Sequence, residues 1–365
     1  MILFLLRNLR RGMREHDAGR SLGRHLLWLV VLSIGFAVTF KILEQTSWNE
    51  AFWQAWQTNT TVGYGNAPAA TALGRLAVGV FGTFGIALVG ICISGAFDLK
   101  QAIQDMRRYG MQQNPHRDGY VVFNFPGVSA FRMLVREIRT VQPGVGICVV
   151  DSRLDELPES VVAELGNLHF VRGDALDPKT YERAGIKNNR TILIFPLDSG
   201  TPDSDGATLT LVNILFGIVD AGTRIIPTLV NPENEKLFDS VTSRSTGASV
   251  CPVWQNIDVL AVVQECQDEH SAELVAQLLA NTQGANPRTL APGPCVGMTW
   301  ESFNAALAQT SRARGESTNA FGLIHANGEV DVCPASDTVI VETDKLSIIA
   351  FPDFDWEVFS ADLVT

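Results

Sequence analysis

The residues best suited to chemistry in this sequence form one run of five, close to position 63. They are Thr61, Val62, Gly63, Tyr64 and Gly65. The two glycines permit backbone conformations that a side chain would obstruct. An extended strand of this kind can aim its carbonyl oxygens to one side, and several copies can stack those oxygens as rings around a dehydrated cation. The run therefore predicts a cation site whose ligands are mostly backbone oxygens.

Two long apolar runs flank these five residues. The first covers residues 26–40 and continues to residue 43 past Lys41, and the second covers residues 76–97. A membrane-spanning helix needs about 20 such residues. The second run meets this length, and in the first run Lys41 can reach the interface. A cleaved signal peptide is the alternative for the first run, but no small-x-small cleavage site follows Phe40 and a second span follows.

The stretch between the spans contains a short helical pattern at residues 49–60, just before the run of five. It is rich in aromatic residues and too short to cross a bilayer. Irregular backbone at membrane depth is tolerated only where it lines a pathway or is buried in protein. We therefore expect a re-entrant helix that ends at the cation site.

The distribution of basic residues predicts the orientation of the spans. Six arginines precede the first span, and Lys100, Arg107 and Arg108 follow the second, whereas only Lys41 and Arg75 lie between the spans. By the positive-inside rule both termini are cytoplasmic. The opening residues 1–24 predict an amphipathic segment on the inner membrane surface, with a frayed tail as the alternative.

The composition of the rest of the chain excludes several classes of protein. Of 365 residues, 28 are Lys or Arg and 39 are Asp or Glu, which gives a formal net charge of -11. This acidity argues against a nucleic-acid partner, and a hydrophobic content of 46% argues against disorder. The six cysteines show no C-x-x-C spacing, which argues against a zinc knuckle or a disulfide scaffold and fits a reducing compartment.

The run at residues 61–65 (the filter segment) resembles the T-V-G-Y-G signature of the potassium channel family. The resemblance implies a potassium-selective filter with K+ as the bound ion, built from four copies of the chain. It also implies that Val62 and Tyr64 point away from the pore and that Thr61 adds its hydroxyl at the cytoplasmic end. A glycine-rich re-entrant loop without an ion is the alternative interpretation.

The surroundings of the filter segment depart from the family at one position. The family usually has Asp after the last filter glycine, whereas this chain has Asn66. Relatives use that Asp to bind a pore-helix carboxylate and a Trp, and the matching positions here are Gln57 and Trp53. The hypothesis is that Asn66, Gln57 and Trp53 form an amide network that supports the filter.

The second span contains five glycines, which weaken a helix unless they have a purpose. Close helix packing is one explanation. The other is a gating hinge, and the resemblance to two-span potassium channels places that hinge at Gly85, with Gly82 as the second candidate.

The soluble part begins after a polar, helix-prone linker at residues 99–117. Six apolar strand patterns alternate with helical patterns over residues 118–252, which indicates a parallel, doubly wound, Rossmann-like α/β domain. The strand patterns lie at residues 120–125, 146–152, 168–174, 191–196, 224–230 and 248–253. In order and length this part resembles the domain that regulates potassium conductance, the RCK domain, over residues 119–355.

That resemblance implies a possible nucleotide site. The positions of the G-x-G-x-x-G fingerprint hold Phe125, Gly127 and Ala130, so the first glycine is lost. The nucleotide-binding candidates are Gly127, Asp151 on the ribose and Asp174 near the adenine. A capping or solvated acid is the alternative for Asp151. The damaged fingerprint and the lack of a catalytic constellation argue against an oxidoreductase, and no enzymatic activity is expected.

A divalent cation is the other regulatory ligand that the family binds. The positions of its calcium ligands hold Pro196, Thr228 and Val230, so that site is not expected here. An acidic loop offers a substitute, for which a solvated surface loop is the alternative. The candidate ligands are Asp198, Asp203 and Asp205.

Two further segments complete the chain. Residues 253–282 predict a pair of helices, which in the RCK family crosses over to a partner subunit. Residues 283–365 predict a small α/β C-terminal lobe whose ligand the sequence does not identify. Residues 283–294 carry the Pro and Gly residues typical of a boundary.

Together these features predict a homotetrameric potassium channel of the inner (plasma) membrane, with a pore domain at residues 25–98 and a ligand-gated cytoplasmic ring. An internal start at Met106 or Met111 could supply extra soluble copies that complete an octameric ring. The alternative is a membrane-anchored nucleotide-sensing regulatory subunit with a non-conducting pore.

Overall fold

The computed structural model describes residues 17–65, 68–238, 247–254, 257–282 and 284–363. It divides into two compact units, of which one ends at Gln112 and the other begins at Gln113. The first 16 residues of the predicted amphipathic segment lie outside the described residues.

In the N-terminal unit, the described residues 17–65 and 68–112 form three helices. They are α1 (Asp17–Glu44), α2 (Trp48–Asn59) and α3 (Ala72–Arg108). Helices α1 and α3 are long and apolar enough to cross a membrane. Because α3 continues without interruption to Arg108, the first ten residues of the predicted linker are its last turns.

The short helix α2 begins and packs for identifiable reasons. Ser47 caps its N-terminus by accepting a hydrogen bond from the amide of Glu50 at 3.2 Å. Ala51 and Ala55 are buried against Phe36 of α1. Small side chains at these positions let the helix backbones approach closely, which is how helices associate in a membrane. On the other side, the ring of Phe36 stacks on Phe81 of α3 at 5.3 Å.

The second unit is built on a parallel sheet. Its strands are β1 (Tyr120–Phe123), β2 (Ile147–Asp151), β3 (Leu168–Arg172), β4 (Thr191–Ile194), β5 (Arg224–Leu229), β6 (Ser249–Val250) and β7 (Val253–Trp254). The strand order is β3-β2-β1-β4-β5-β6, with β7 also paired to β5. The order reverses between β1 and β4, which is the switch point of a doubly wound sheet.

Helices cover both faces of this sheet. They are α4 (Val128–Val141), α5 (Glu159–Leu165), α6 (Pro178–Ala184) and α7 (Asp203–Phe216). Val122 and Val149 face Phe131 of α4 on one side, whereas Val121 and Val150 belong to the core on the opposite side. Strands buried on both faces read as continuous apolar runs, which is why the sequence revealed them.

One predicted strand is split. The pattern at residues 248–253 forms β6 and β7, separated by Cys251 and Pro252. Proline has no amide hydrogen to donate to the ladder, so the pairing with β5 is interrupted there and resumes at Val253 opposite Thr228.

A helical hairpin and a C-terminal lobe follow. The hairpin is α8 (Ile257–Gln267) and α9 (Ser271–Leu279). The lobe contains β8 (Asn286–Leu290), α10 (Trp300–Arg314), β9 (Asn319–Ile324), β10 (Val330–Val332), β11 (Lys345–Ala350) and α11 (Trp356–Ala361). Its antiparallel sheet has the order β10-β9-β11-β8 and packs around Phe303, Leu346 and Phe359. The predicted boundary at residues 283–294 therefore contains a strand, β8, which the Pro and Gly content concealed.

Candidate functional site

The filter segment follows the C-terminal end of α2 and is neither helix nor strand. The amides of Val62 and Gly63 both donate to the carbonyl of Gln57, at 3.0 and 3.2 Å. Thr61, Gly63 and Gly65 have φ values of +63°, +54° and +68°. Glycine adopts this left-handed region without strain, so positions 63 and 65 suit it. All five residues of the segment are exposed in the single chain.

Aromatic side chains of α2 lie beside the segment. The ring of Trp53 stacks on Tyr64 with centroids 5.7 Å apart, and on Trp56 at 5.1 Å. Tyr64 thus points back toward α2. Stacking of this kind holds an aromatic side chain in one orientation.

The described residues show part of the surroundings of the hypothesised amide network, which itself stays a prediction. Gln57 is buried, and its Nε2 donates to Oε1 of Gln54, one helical turn earlier. Gln57 Oε1 accepts no hydrogen bond from any described residue, so Trp53 does not donate to it. Asn66 lies outside the described residues. Gln54 was not predicted from the sequence, although its i, i+3 spacing from Gln57 is typical of a side-chain hydrogen bond on one helix face.

The two hinge candidates face α2. A Cβ atom on Gly85 would lie 1.9 Å from Oδ1 of Asn59, and one on Gly82 would lie 3.0 Å from Cγ2 of Thr58. A Cβ atom on Gly79 or Gly90 would meet nothing within 4 Å. Close packing therefore accounts for the glycines at 82 and 85, which is one of the two explanations that the sequence left open.

In the second unit, the carboxyl ends of the strands border a small cavity. It measures about 70 Å³ and is lined by Asn124, Ser152, Asp174 and Thr208, among others. Ligand pockets for drug-sized molecules are several times larger, at about 300 Å³ or more. This cavity in its observed conformation does not accommodate a nucleotide.

Asp151, the candidate ribose ligand, is already occupied. It is buried and accepts hydrogen bonds from the amide of Phe125 at 2.8 Å and from Arg153 Nη2 at 2.7 Å. Burial alone would raise the pKa of Asp151, but the hydrogen bonds and charge of Arg153 together with the Phe125 amide hold it below its ordinary value. Arg153 also donates to the carbonyl of Leu197, so its side chain bridges Asp151 and the loop that follows β4.

The remaining nucleotide candidates lie close by. Gly127 has a φ of +95° at the start of α4, where a Cβ atom would meet nothing within 4 Å. The ring of Phe125 packs on Phe131 of α4 instead of leaving the open turn that a glycine would give. Asp174 accepts from the amide of Leu176 at 2.9 Å and lines the cavity.

The acidic loop is not assembled as a metal site. Asp205 is buried and accepts from the amides of Val230 and Asn231 at 2.8 and 2.9 Å, whereas Asp198 and Asp203 are exposed. In the described ranges, no group of three or more His, Cys, Asp or Glu side chains is placed to hold a metal ion. The carboxylate of Asp205 is thus engaged with the loop that follows β5.

The hairpin α8–α9 has no buried residue in the single chain. Leu260 and Val262 are 58% and 64% exposed. Glu137 of α4 accepts from the amide of Asn281 and from the Thr282 hydroxyl, which fixes the end of the hairpin to the Rossmann-like domain. An apolar surface of this kind is typical of a protein interface.

The chain is similar to known ion-channel proteins. A family model described as "Ion channel" matches residues 26–100, which include α2 and the filter segment. The potassium channel protein YugO of Bacillus subtilis (strain 168) is 28% identical over 207 residues, which cover 53% of this chain and 57% of YugO. The chain thus aligns with less than two thirds of this relative.

Two solved structures are similar to the chain over most of its length. The GsuK channel is 15% identical, with a TM-score of 0.47, over 95% of this chain and 59% of that one. The GsuK channel bound to NAD is 16% identical, with a TM-score of 0.45, over 92% and 58%.

The two apolar helices and the channel match identify a membrane protein. Residues 26–100 match the ion-channel family model, and over 207 residues the chain is similar to a potassium channel protein.

Proposed function

We propose that this chain is the subunit of a potassium-selective channel, that four copies surround one pore, and that ligand binding to a cytoplasmic ring opens it. The observation that carries the proposal is the filter segment, which follows a capped pore helix and is fixed by the two amides that donate to Gln57. One strand supplies too few oxygens for a dehydrated cation, whereas four strands around an axis replace the water shell. The exposed filter segment of the single chain is available for this assembly.

The pore lies at residues 25–98 in this proposal, and both termini are cytoplasmic in the plasma (inner) membrane. The basic residues before α1 and at the end of α3 support this orientation. Cys251 and Cys333 are exposed in the second unit. A membrane-impermeant maleimide added to intact cells should leave both unlabelled and should label them once the cells are opened.

Regulation would follow from the second unit, with residues 118–252 as the Rossmann-like domain, 253–282 as the crossover hairpin and 283–365 as the C-terminal lobe. A ligand shifts the equilibrium between the open and closed channel only if it binds the two states of the ring with unequal affinity. A nucleotide whose ribose bound Asp151 would have to displace Arg153 from that carboxylate. The regulatory ligand is proposed to be a nucleotide or a divalent cation. The second unit is proposed to bind it without catalysing a reaction.

Reconstitution tests the proposal directly. Liposomes that contain the full-length protein and are loaded with potassium should take up external rubidium, driven by the outward potassium gradient, and should exclude sodium. Nucleotides and divalent cations are each tried as activators. Gly63→Ala should abolish uptake because a side chain at φ +54° is strained. Gly90→Ala, where a side chain meets open space, is the matched control.

Uptake of neither rubidium nor potassium by correctly assembled wild-type protein would overturn the channel proposal and favour a non-conducting, membrane-anchored sensor. The mass of the detergent-solubilised assembly tests its stoichiometry. Four full-length chains are expected. A second, shorter chain on a denaturing gel, with its N-terminus near Met106 or Met111, would indicate additional soluble copies in an octameric ring.

A further inference from the structure

Asn59, the last residue of α2, is held between two other helices. It is buried, and its Nδ2 donates to the hydroxyl of Ser33 in α1 at 2.7 Å. That hydroxyl in turn donates to the carbonyl of Leu29 at 2.8 Å. The amide group of Asn59 is therefore oriented by α1, two residues before the filter segment begins.

The other side of the Asn59 side chain meets α3. Its Oδ1 accepts no hydrogen bond among the described residues and lies over Gly85, where a Cβ atom would be only 1.9 Å away. The Cγ atom of Asn59 would be 2.7 Å from that Cβ. The absence of a side chain at Gly85 is thus what allows α3 to approach the end of α2.

This contact distinguishes Gly85 from Gly79 and Gly90 in the same helix. A side chain at Gly90 would meet nothing within 4 Å. The helix is continuous through both positions. A glycine that only supplied flexibility would not need a buried polar side chain against it.

We propose that Asn59 is a positioning residue that couples α3 to the filter segment through Gly85. When α3 moves at Gly85, the support for Asn59 changes, and because Asn59 ends the pore helix, the position of Thr61 changes with it. This inference rests on the proposed channel function, since it describes how movement of the inner helix would reach the ion site.

Four variants of the full-length protein test the coupling: Gly85→Ala, Asn59→Ala, the double variant and Gly90→Ala. Two properties are measured in each, namely rubidium uptake by liposomes and the rise in melting temperature when NaCl is replaced by KCl in detergent. Gly85→Ala should reduce uptake about ten-fold or more, as overpacking of a close contact does, and should shrink the KCl effect. When Asn59 is already replaced by Ala, adding Gly85→Ala should change uptake and the KCl effect by no more than about two-fold, because the clashing group is absent. Gly90→Ala should change neither.

Persistence of the Gly85→Ala defect in the double variant would show that Gly85 acts through backbone flexibility, and the inference would be wrong. It would also be wrong if Gly85→Ala behaved like Gly90→Ala. Failure of the channel proposal is recognised separately, since wild-type protein would then pass no rubidium. In that case the melting temperatures in NaCl still report the contact, with a decrease in Gly85→Ala and recovery in the double variant.

Discussion

The ring of Trp53 lies almost parallel to the ring of Tyr64, with an angle of 6° between their planes and 5.7 Å between their centroids. This stack joins the pore helix to the fourth residue of the filter segment. Aromatic pairs add about 0.5–1.5 kcal/mol beyond the burial of their area. Trp53→Ala should therefore loosen Tyr64 and lower the K+/Na+ permeability ratio by roughly two- to ten-fold, whereas Trp53→Phe should keep most of it.

Trp48→Ala is the control for this prediction. Trp48 lies at the start of the same helix and stacks on Phe52, away from the filter segment. Bi-ionic reversal potentials in K+ and Na+ give the measurement. Equal effects of Trp53→Ala and Trp48→Ala would contradict a specific role for the stack.

The buried amide pair of Gln54 and Gln57 should act as a unit. Removing either partner leaves a buried amide unsatisfied, which costs about 1–3 kcal/mol. We expect Gln54→Ala and Gln57→Ala each to lower the melting temperature, and the double variant to lower it by less than the two effects combined. Gln101→Ala, on an exposed face of α3, serves as control. Strict additivity in detergent melting curves would argue against the pair.

The interaction of Asp151 with Arg153 should make stability depend on pH. The pKa of Asp151 is lowered in the folded protein, so its contribution is complete above the unfolded pKa of about 3.9 and is lost as the pH falls below that value. Asp151→Asn should lower the free energy of unfolding by about 1–3 kcal/mol at pH 7, and the difference from wild type should shrink below about pH 4.

Urea unfolding at several pH values measures this difference. Asp155→Asn is the matched control, because Asp155 pairs with Arg172 but its side chain is 79% exposed. An exposed pair contributes about 0–1 kcal/mol. If the effect of Asp151→Asn were the same at pH 7 and pH 3.5, the ion pair would not be its cause.

Asp205 should prove structural. Its carboxylate accepts three hydrogen bonds, from the amides of Val230 and Asn231 and from the side chain of Asn234 at 2.8 Å. Asp205→Ala should cost about 2 kcal/mol or more, whereas the exposed Asp203→Ala should cost little. Millimolar calcium should leave the melting temperature unchanged. A rise with calcium that Asp203→Ala abolished would restore the acidic loop as a metal site.

Cys266 reports whether the hairpin α8–α9 is covered by a partner. In the single chain Cys251, Cys266 and Cys333 are exposed, whereas Cys148 and Cys295 are buried. Burial raises the pKa of the Cys148 and Cys295 thiols, the latter to about 11, so both should resist alkylation at pH 8.

In the assembled protein Cys251 and Cys333 should react quickly with maleimide, and Cys266 should react at least about ten-fold more slowly if the apolar hairpin lies in an interface. Mass spectrometry of labelled peptides measures the rates. Equal rates for all three exposed cysteines would mean that the hairpin is open to solvent.

The elements of this protein were predictable from sequence because their signals are local. The apolar runs that became α1 and α3 have the length of a bilayer, and the strands around Val122 and Val149 are continuous apolar runs. The five residues of the filter segment are contiguous, so a single chain sufficed to recognise them. Strand β8 was not predicted, because it lies within residues 283–294, which have the Pro and Gly content of a turn, and because its pairing partner, β11, is distant in sequence.

What depended on tertiary structure was the choice of partners. Whether Gln57 bonds to Gln54 or to Trp53 is decided by packing around α2, and whether Asp151 is free for a ligand is decided by the reach of Arg153. That Asn59 packs against the glycine at position 85 is also decided by tertiary structure, and the gating hinge at that position stays a prediction. Local patterns fix helices and strands through backbone periodicity, whereas contacts between residues far apart in the chain arise only when those elements pack.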